Sequence, residues 1–301
     1  MLITNMDLRS LTCFIAVAEA LHFRRAAIRL HLTQSALSQR IRVLEDEIGT
    51  PLLERDRRHV SLSPAGAAFL GHARAAVASA RLATTEALRA ARGEIGRLRL
   101  GFTVIAFYGA LPLAVRRFRD RHPEIAIDLT EMNSPAVEVA LAANEVDLGV
   151  LHPPVYTAGL DCRTLPPQRM LLAVPEGHPL AEKPVIAVRD LEGEPLLIAP
   201  RSIGPSISDR MMALFHAEGI TPTIAQEVTP MTTLTGLVAA GAGLGFVTEG
   251  IAGVTRPGVI YRPIVPEPPS LPMAVAWRRR ALSPIAERFI EVVASDHGET
   301  E

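Results

Sequence analysis

Polar and basic side chains near the amino terminus have types and spacings that suit contact with a polyanion. A short segment of Ser, Gln and Arg interleaves with apolar positions, and an Arg-rich segment follows it. Short polar side chains on a helix can reach base edges, and arginines can neutralise phosphates. The alternative is a small helical domain with a solvated polar face. The residues concerned are Gln34, Ser35, Ser38, Gln39 and Arg42, followed by Arg55, Arg57 and Arg58.

Three later loops carry groups that could hold a small anion. Thr103–Tyr108 and Asn133–Pro135 follow apolar segments predicted as strands, and Arg201–Ser206 precedes a predicted helix. In the last two loops, hydroxyl groups at a helix amino terminus favour a carboxylate, although ordinary helix capping explains each of these two loops equally well. Arg201 adds a positive charge that a surface position would also explain.

Catalytic and metal chemistry find no support in the sequence. The nine histidines are scattered and form no His-Glu-x-x-His pattern, and acidic residues do not cluster with His or Cys. The segment Gly241–Gly245 resembles a nucleotide loop in composition, but it follows a predicted helix and precedes a strand, the reverse of the order that phosphate binding requires. We therefore expect no enzyme activity, no metal and no cofactor.

Length and composition limit the class of protein. The 301 residues, of which 48% are hydrophobic and 21% charged, suggest two domains at about 150 residues each. The two cysteines offer no disulfide framework, and Asp7 and Arg9 interrupt the stretch where a signal peptide would be apolar. The longest uncharged run, residues 228–248, contains Pro230 and several glycines, which favour a buried helix, turn and strand over a membrane span. We expect a cytoplasmic protein without a membrane partner.

Charge is distributed unevenly along the chain. Residues 1–99 hold 15 Arg against 9 acidic residues, a balance of +6, whereas residues 100–301 hold 16 basic against 23 acidic residues, a balance of −7. A basic amino-terminal third indicates that this part faces a polyanion and the remainder faces something else.

The elements that position the polar segment are three short helices. Apolar spacing behind Asp7 predicts the first helix, and a second helix from about Phe23 ends at the tight break His31-Leu32. Thr33 can cap a third helix that Gly49 stops. Its apolar residues form one stripe, opposite the polar side chains: Leu37, Ile41, Leu44 and Ile48.

A hairpin and a long helix are predicted next. Two apolar segments flank Arg55–Arg58 and suggest a wing with a basic tip. From Pro64 to about Arg92, a seam of mostly small residues repeats at heptad spacing, which favours pairing with a second copy. An Ala-rich helix lying on its own domain is the alternative.

After Gly93 the pattern alternates between strands and helices, which predicts two α/β lobes with mainly parallel sheets. The Pro-rich stretches 164–168 and 263–272 are interpreted as the crossovers between the lobes. Ligands bind such sheets at the carboxyl ends of the strands.

These residues together resemble the LysR-type transcriptional regulators, and the resemblance covers essentially the whole chain. The motifs that carry it are Leu8-Arg9 to Phe14, Leu21 to Ala27, Leu32 to Ile41, Leu44-Glu45, Gly49, Leu52 to Arg55, Pro64-Ala65-Gly66, Gly101-Phe102, Leu111-Pro112, His122-Pro123, Asp147-Leu148-Gly149 and Leu237 to Gly241.

The resemblance implies a winged helix-turn-helix over residues 1–63, a dimerising linker helix over 64–93 and a two-lobed effector domain, similar to periplasmic binding proteins, over 94–301. Lobe I would hold about 94–165 and 270–301, and lobe II about 166–269. A dimer or tetramer would bind double-stranded operator DNA and a small-molecule effector, for which we expect a small organic acid. The DNA-binding set would be Thr33, Gln34, Ser35, Ser38, Gln39, Arg40, Arg42, Arg55, Arg57 and Arg58; either Gln39 or Arg40 could face the groove. The effector-binding set would be Thr103, Ile105, Asn133, Ser134, Ser202, Ile203, Gly204, Thr229 and Thr232.

Two other function classes fit a two-lobed scaffold. A solute-binding protein of transport would need an export signal and has no use for the first 90 residues. An enzyme would need a nucleophile or an acid–base pair, which the sequence does not provide. The expected function is therefore transcription regulation controlled by an effector.

Overall fold

The computed structural model describes residues 6–55 and 59–295. The chain divides into two compact units between Ala90 and Ala91.

The first unit begins with three helices, as the sequence predicts. They are α1 (Leu8–Ala20), α2 (Phe23–Arg29) and α3 (Gln34–Ile48). Local caps set their limits, because the Asp7 and Thr33 side chains accept hydrogen bonds from the first turns of α1 and α3, and Gly49 ends α3 at a positive φ of 81°. The predicted apolar stripe of α3 forms part of the core of this unit, because Leu37, Ile41 and Leu44 are fully buried together with Phe14 of α1. The packing of α3 against α1 fixes the orientation of the exposed face of α3.

A hairpin and a long helix complete this unit. Strands β1 (Leu53–Arg55) and β2 (Val60–Leu62) pair antiparallel, with Leu53 opposite Leu62. Helix α4 (Pro64–Ala91) runs for 28 residues. Its first half packs on the three-helix core through Phe69, Leu70, Ala73 and Val77, so the alternative of a helix lying on its own domain holds for that half.

The second unit has two lobes, each around a five-stranded sheet. Lobe I contains β3 (Gly96–Phe102), α5 (Val104–Tyr108), α6 (Leu111–Arg121), β4 (Ile125–Glu131), α7 (Ser134–Ala142), β5 (Leu148–Leu151) and β6 (Leu160–Gln168). Lobe II contains β7 (Met170–Pro175), β8 (Ile186–Ala187), β9 (Pro195–Ile198), α8 (Pro205–Ala217), β10 (Thr223–Glu227), α9 (Met231–Ala239), β11 (Leu244–Thr248), α10 (Glu249–Ala252), β12 (Val259–Arg262) and β13 (Ile264–Val265). The chain then returns to lobe I with β14 (Leu271–Arg278) and α11 (Pro284–Ser295).

Both sheets have the same plan. The strand order is β4-β3-β5-β14-β6 in lobe I and β10-β9-β11-β7-β12 in lobe II. The first three strands of each order are parallel, and the last two pair antiparallel. The expectation of mainly parallel sheets therefore holds for two of the four strand pairs in each sheet, because the fourth strand in each order, β14 in lobe I and β7 in lobe II, runs opposite to both of its neighbours.

The predicted crossover over residues 164–168 is part of strand β6. Pro166 and Pro167 are tolerated there because β6 is an edge strand, where a missing N–H costs no ladder bond on the open side. The connections between the sheets are the short links from Gln168 to Met170 and from Val265 to Leu271.

Candidate nucleic-acid interface and ligand cleft

The outer face of α3 carries most of the predicted DNA-binding side chains. Thr33 is used locally, because its Oγ1 accepts the Ala36 N–H at 3.2 Å and lies 3.0 Å from the Ser35 Oγ. The side chains that lie on the exposed face are those of Gln34, Ser35, Gln39 and Arg42. A rigid core stripe thus presents short polar groups outward from a single helix, as entry into the major groove requires.

Gln39 and Arg40 lie in different environments. The guanidinium of Arg40 is 3.6 Å from the carboxylate of Asp7, the residue that caps α1, whereas Gln39 is exposed. Hydrogen bonds from Ser10 and the charge of Arg40 lower the pKa of Asp7, so its carboxylate is ionised. Arg40 is therefore directed along the flank of α3 toward α1.

Arg55 connects the hairpin to α3. Its guanidinium donates to the Ser38 Oγ at 3.4 Å and to the Glu45 Oε2 at 3.1 Å, and it lies 4.6 Å from the centre of the Phe23 ring. Glu45 in turn accepts the N–H groups of Leu52 and Leu53.

These contacts give Arg55 and Ser38 a structural role that sequence analysis missed, because the partners are far apart in the chain. The predicted basic tip, Arg57 and Arg58, lies outside the described residues.

In lobe I, three neighbouring strands end in one hydrogen-bond network. Thr103 follows β3, Ser134 follows β4 and His152 follows β5. The Ser134 Oγ accepts the backbone N–H of His152 at 3.1 Å, and the His152 Nε2 lies 3.3 Å from the Thr103 Oγ1. The structure thus brings Thr103 and Ser134, two predicted effector-binding residues, together through His152, which the sequence analysis did not select. The signal that could have identified His152 is its position directly after the buried strand β5.

The other lobe I candidates have local functions. Asn133 caps α7, because its Oδ1 accepts the Ala136 N–H at 2.9 Å. Ile105 packs against the core of lobe II, and its carbonyl oxygen accepts a hydrogen bond from Gln168. Ile105 therefore contributes to the contact between the two lobes.

In lobe II, the remaining candidates lie on two adjacent turns. Ser202, Ile203 and Gly204 lie between β9 and α8, and Thr229 and Thr232 lie at the start of α9, after β10. Strands β9 and β10 are parallel neighbours, so their carboxyl ends open at the same place. Among the described residues, no side chain caps α8 or α9.

Arg201 is not available as an unpaired cation. It forms a two-bond ion pair with Asp209, at 2.7 and 2.9 Å. The hydrogen bonds that Arg201 donates to Asp209 lower the pKa of the Asp209 carboxyl, and the carboxylate that accepts them raises the pKa of Arg201. Both groups are solvent-exposed, and their charges compensate each other.

A separate cavity of about 350 Å³ lies between α5, β6 and α10, with Tyr108, Gln168 and Glu249 among its lining residues. None of the predicted effector residues lines it. Within residues 6–55 and 59–295, no group of three His, Cys, Asp or Glu side chains could hold a metal ion. No helix of the described chain has both the length and the apolarity that crossing a bilayer demands.

Comparison with known proteins agrees with this architecture. A family model described as "LysR substrate binding domain" matches residues 91–297, and another, "Bacterial regulatory helix-turn-helix protein, lysR family", matches residues 8–67. The HTH-type transcriptional regulator AlsR of Bacillus subtilis (strain 168) is 37% identical over 287 residues, 95% of each chain.

Solved structures show the same fold. The crystal structure of CbnR, a LysR family transcriptional regulator, has a TM-score of 0.85 and 31% identity, covering 96% of this chain and 100% of CbnR. Full-length CbnR has also been solved with its target DNA, with a TM-score of 0.83, 30% identity and coverage of 96% and 98%. The BenM effector-binding domain, solved with its effector benzoate, has a TM-score of 0.58 and 28% identity, covering 66% of this chain and 91% of that domain.

A helix-turn-helix unit followed by a two-lobed effector-binding domain defines a DNA-binding transcriptional regulator, and not an enzyme. This chain belongs to the LysR family of transcriptional regulators.

Proposed function

We propose that the exposed face of α3 reads operator DNA in the major groove. The observation that carries this proposal is the exposure of Gln34, Ser35, Gln39 and Arg42 opposite the buried stripe of α3. Gln39 is the stronger candidate for a base contact, because Arg40 is engaged by Asp7. The basic balance of residues 1–99 supplies the sequence-independent attraction to phosphates. A regulator of this kind acts on the chromosome, so we expect it in the cytoplasm.

The second half of α4 supports self-association. Thr84, Ala87 and Ala91 continue the small-residue seam beyond the three-helix core and are exposed, with Leu88 beside them. Leu88 is 52% exposed, and a paired helix would bury it. We propose that residues 64–93 act as the dimerisation segment between a DNA-binding domain over 1–63 and an effector domain over 94–301. Assembly into a dimer or a tetramer would place two DNA-reading heads on two half-sites.

The effector that the cleft suits best is a small organic acid. Two helices, α8 and α9, direct their amino termini from the adjacent ends of β9 and β10, and the described side chains leave both termini without a cap. Unsatisfied N–H groups at a helix amino terminus attract a carboxylate. Ser202, Ile203, Gly204, Thr229 and Thr232 would line this side, and Thr103, Ile105, Asn133 and Ser134 the side of lobe I. The carboxylate effector of the similar BenM domain is consistent with this class.

Effector binding would act by changing the angle between the lobes. Within the described part of the chain, two short links join the sheets, so a ligand that contacts both sides favours one arrangement over another. The shift would reach the DNA-reading heads through the linker helices.

Footprinting on the DNA upstream of the regulator's own gene, at physiological salt with a nonspecific competitor, tests the function. We expect a protected, partly palindromic site whose extent changes when the matching carboxylate is added. Protection that vanishes with competitor DNA would refute sequence-specific regulation at that site. A footprint that responds to amines or sugars but not to carboxylates would refute only the effector class. Gln39→Ala and Arg40→Ala serve as matched variants in the same assay.

A further inference from the structure

The ring of His152 is held at both nitrogens. Its Nδ1 lies 3.0 Å from the carbonyl oxygen of Pro272, and its Nε2 lies 3.3 Å from the Oγ1 of Thr103. A carbonyl oxygen can only accept a hydrogen bond, so Nδ1 carries the proton. In the neutral ring Nε2 is then an acceptor, and the Thr103 hydroxyl donates to it.

This arrangement fixes the hydrogen-bonding polarity of Thr103. The single hydroxyl proton of Thr103 is directed at His152. The oxygen lone pairs of Thr103 remain available to accept a hydrogen bond, because in the described structure this side chain does not cap α5. Thr103 is also 95% buried, so water can serve those lone pairs only poorly. Ser134 has the opposite polarity, since its oxygen accepts the His152 N–H and its hydroxyl proton remains available to donate. The strand ends therefore present one acceptor beside one donor.

We propose that His152 makes Thr103 a hydrogen-bond acceptor in the cleft and so selects an effector that carries a hydroxyl group as well as a carboxylate. This inference rests on the organic-acid effector of the proposed function. A hydroxyl on the ligand donates to Thr103, while the carboxylate accepts from Ser134 and from the helix termini of lobe II. An acid without the hydroxyl leaves the buried lone pairs of Thr103 unpaired, and sites with such unpaired groups discriminate strongly between ligands.

The polarity of Thr103 reverses when His152 is protonated. Protonated Nε2 donates to Thr103, and the Thr103 hydroxyl is then available to donate to an anion. Burial lowers the pKa of His152 below its ordinary value of 6.5, and the Pro272 carbonyl opposes this only in part, so the ring is neutral at neutral pH.

The elements packed around the ring bring few titratable groups. Glu138 on α7 is engaged by the N–H groups of Tyr156 and Thr157, Glu131 at the end of β4 is exposed, and Tyr108 lies on α5. His152 itself is therefore the group that sets this pH dependence.

The direct test is calorimetry of the full-length protein with matched pairs of acids that differ by one hydroxyl: propanoate and 2-hydroxypropanoate, butanoate and 3-hydroxybutanoate, benzoate and 3-hydroxybenzoate. At about pH 8, we expect the hydroxy acid of the best-binding pair to bind at least about tenfold more tightly than its parent. As the pH is lowered through the pKa of His152, this ratio should fall toward one. Equal binding of both members at about pH 8 would overturn the inference but leave the organic-acid effector standing, whereas no heat from any acid would count against both.

Variants and a spectroscopic readout keep the test independent of the ligand chosen. Thr103→Val should abolish the preference for the hydroxy acid, and Thr103→Ser should keep it. His152→Gln should lose the preference for the hydroxy acid, because the Gln amide can turn either a donor or an acceptor toward Thr103. In ¹⁵N spectra of histidine-labelled full-length protein, with His152→Gln for assignment, the His152 ring should be the neutral Nδ1–H tautomer. A neutral Nε2–H tautomer would overturn the inference whichever acids bind.

Discussion

The role of Arg55 gives the sharpest test of the DNA-binding unit. Its side chain is only 28% exposed and is committed to Glu45, Ser38 and the ring of Phe23. We predict that Arg55→Ala weakens operator binding by disordering the hairpin relative to α3 rather than by removing a phosphate contact.

The magnitude follows from the two strongest contacts that Arg55→Ala removes, those with Phe23 and Glu45. The ring contact contributes about 0.5–1 kcal/mol, and a partly exposed ion pair contributes about 0.2–1 kcal/mol. Local stability of the hairpin junction should fall by roughly 1–2 kcal/mol, which corresponds to an open population about 5–30-fold larger. Hydrogen exchange of the Leu52 and Leu53 amides, both bonded to Glu45, measures this opening directly.

Binding at several salt concentrations separates positioning from phosphate contact. Loss of one phosphate contact reduces the salt slope by about 0.9, so the slope should stay unchanged in Arg55→Ala while specific affinity falls. Arg55→Lys keeps the charge but not the planar fork, and it should retain little of the specific affinity. A slope reduced by about one with normal amide exchange would show that Arg55 contacts DNA, and the positioning role would be wrong.

Three further predictions concern matched pairs of substitutions. Gln39→Ala should reduce operator affinity by about 1–3 kcal/mol with little effect on nonspecific DNA, and Arg40→Ala should reduce it less; the reverse order in competition binding assays would contradict the assignment. Leu88→Asp should weaken self-association in sedimentation experiments. Leu82 is 58% exposed and, by helical spacing, lies on the side of α4 opposite the seam, so Leu82→Asp should not weaken it. Equal effects of the two substitutions would place the interface elsewhere. Gly66→Ala should destabilise the fold by about 1–3 kcal/mol, because the added Cβ would overlap the Leu52 carbonyl oxygen. Gly71 has open space around it, so Gly71→Ala should stabilise the fold by roughly 0.5–1 kcal/mol. Thermal unfolding distinguishes the two variants, and equal shifts in melting temperature would refute the packing argument.

The sequence predicted the elements whose signals are local. Helices α1 and α3 begin at their predicted caps, Asp7 and Thr33, and the stripe that docks α3 is the one read from apolar spacing. Capping and periodicity depend on neighbours within about four residues, so a single sequence contains them.

The tertiary structure decided the features whose partners are distant in the chain. Arg55 reaches Ser38 across 17 residues, and His152 joins Thr103 across 49 residues and Pro272 across 120. Likewise β6 is a strand despite its prolines because it lies at the edge of the sheet beside β14, which the chain forms more than 100 residues later. The sequence by itself therefore determined which residues are polar, apolar or capping. Only the packing of the lobes and of the hairpin determined which of them donate to one another, because hydrogen-bond polarity is set by the partner and not by the residue type.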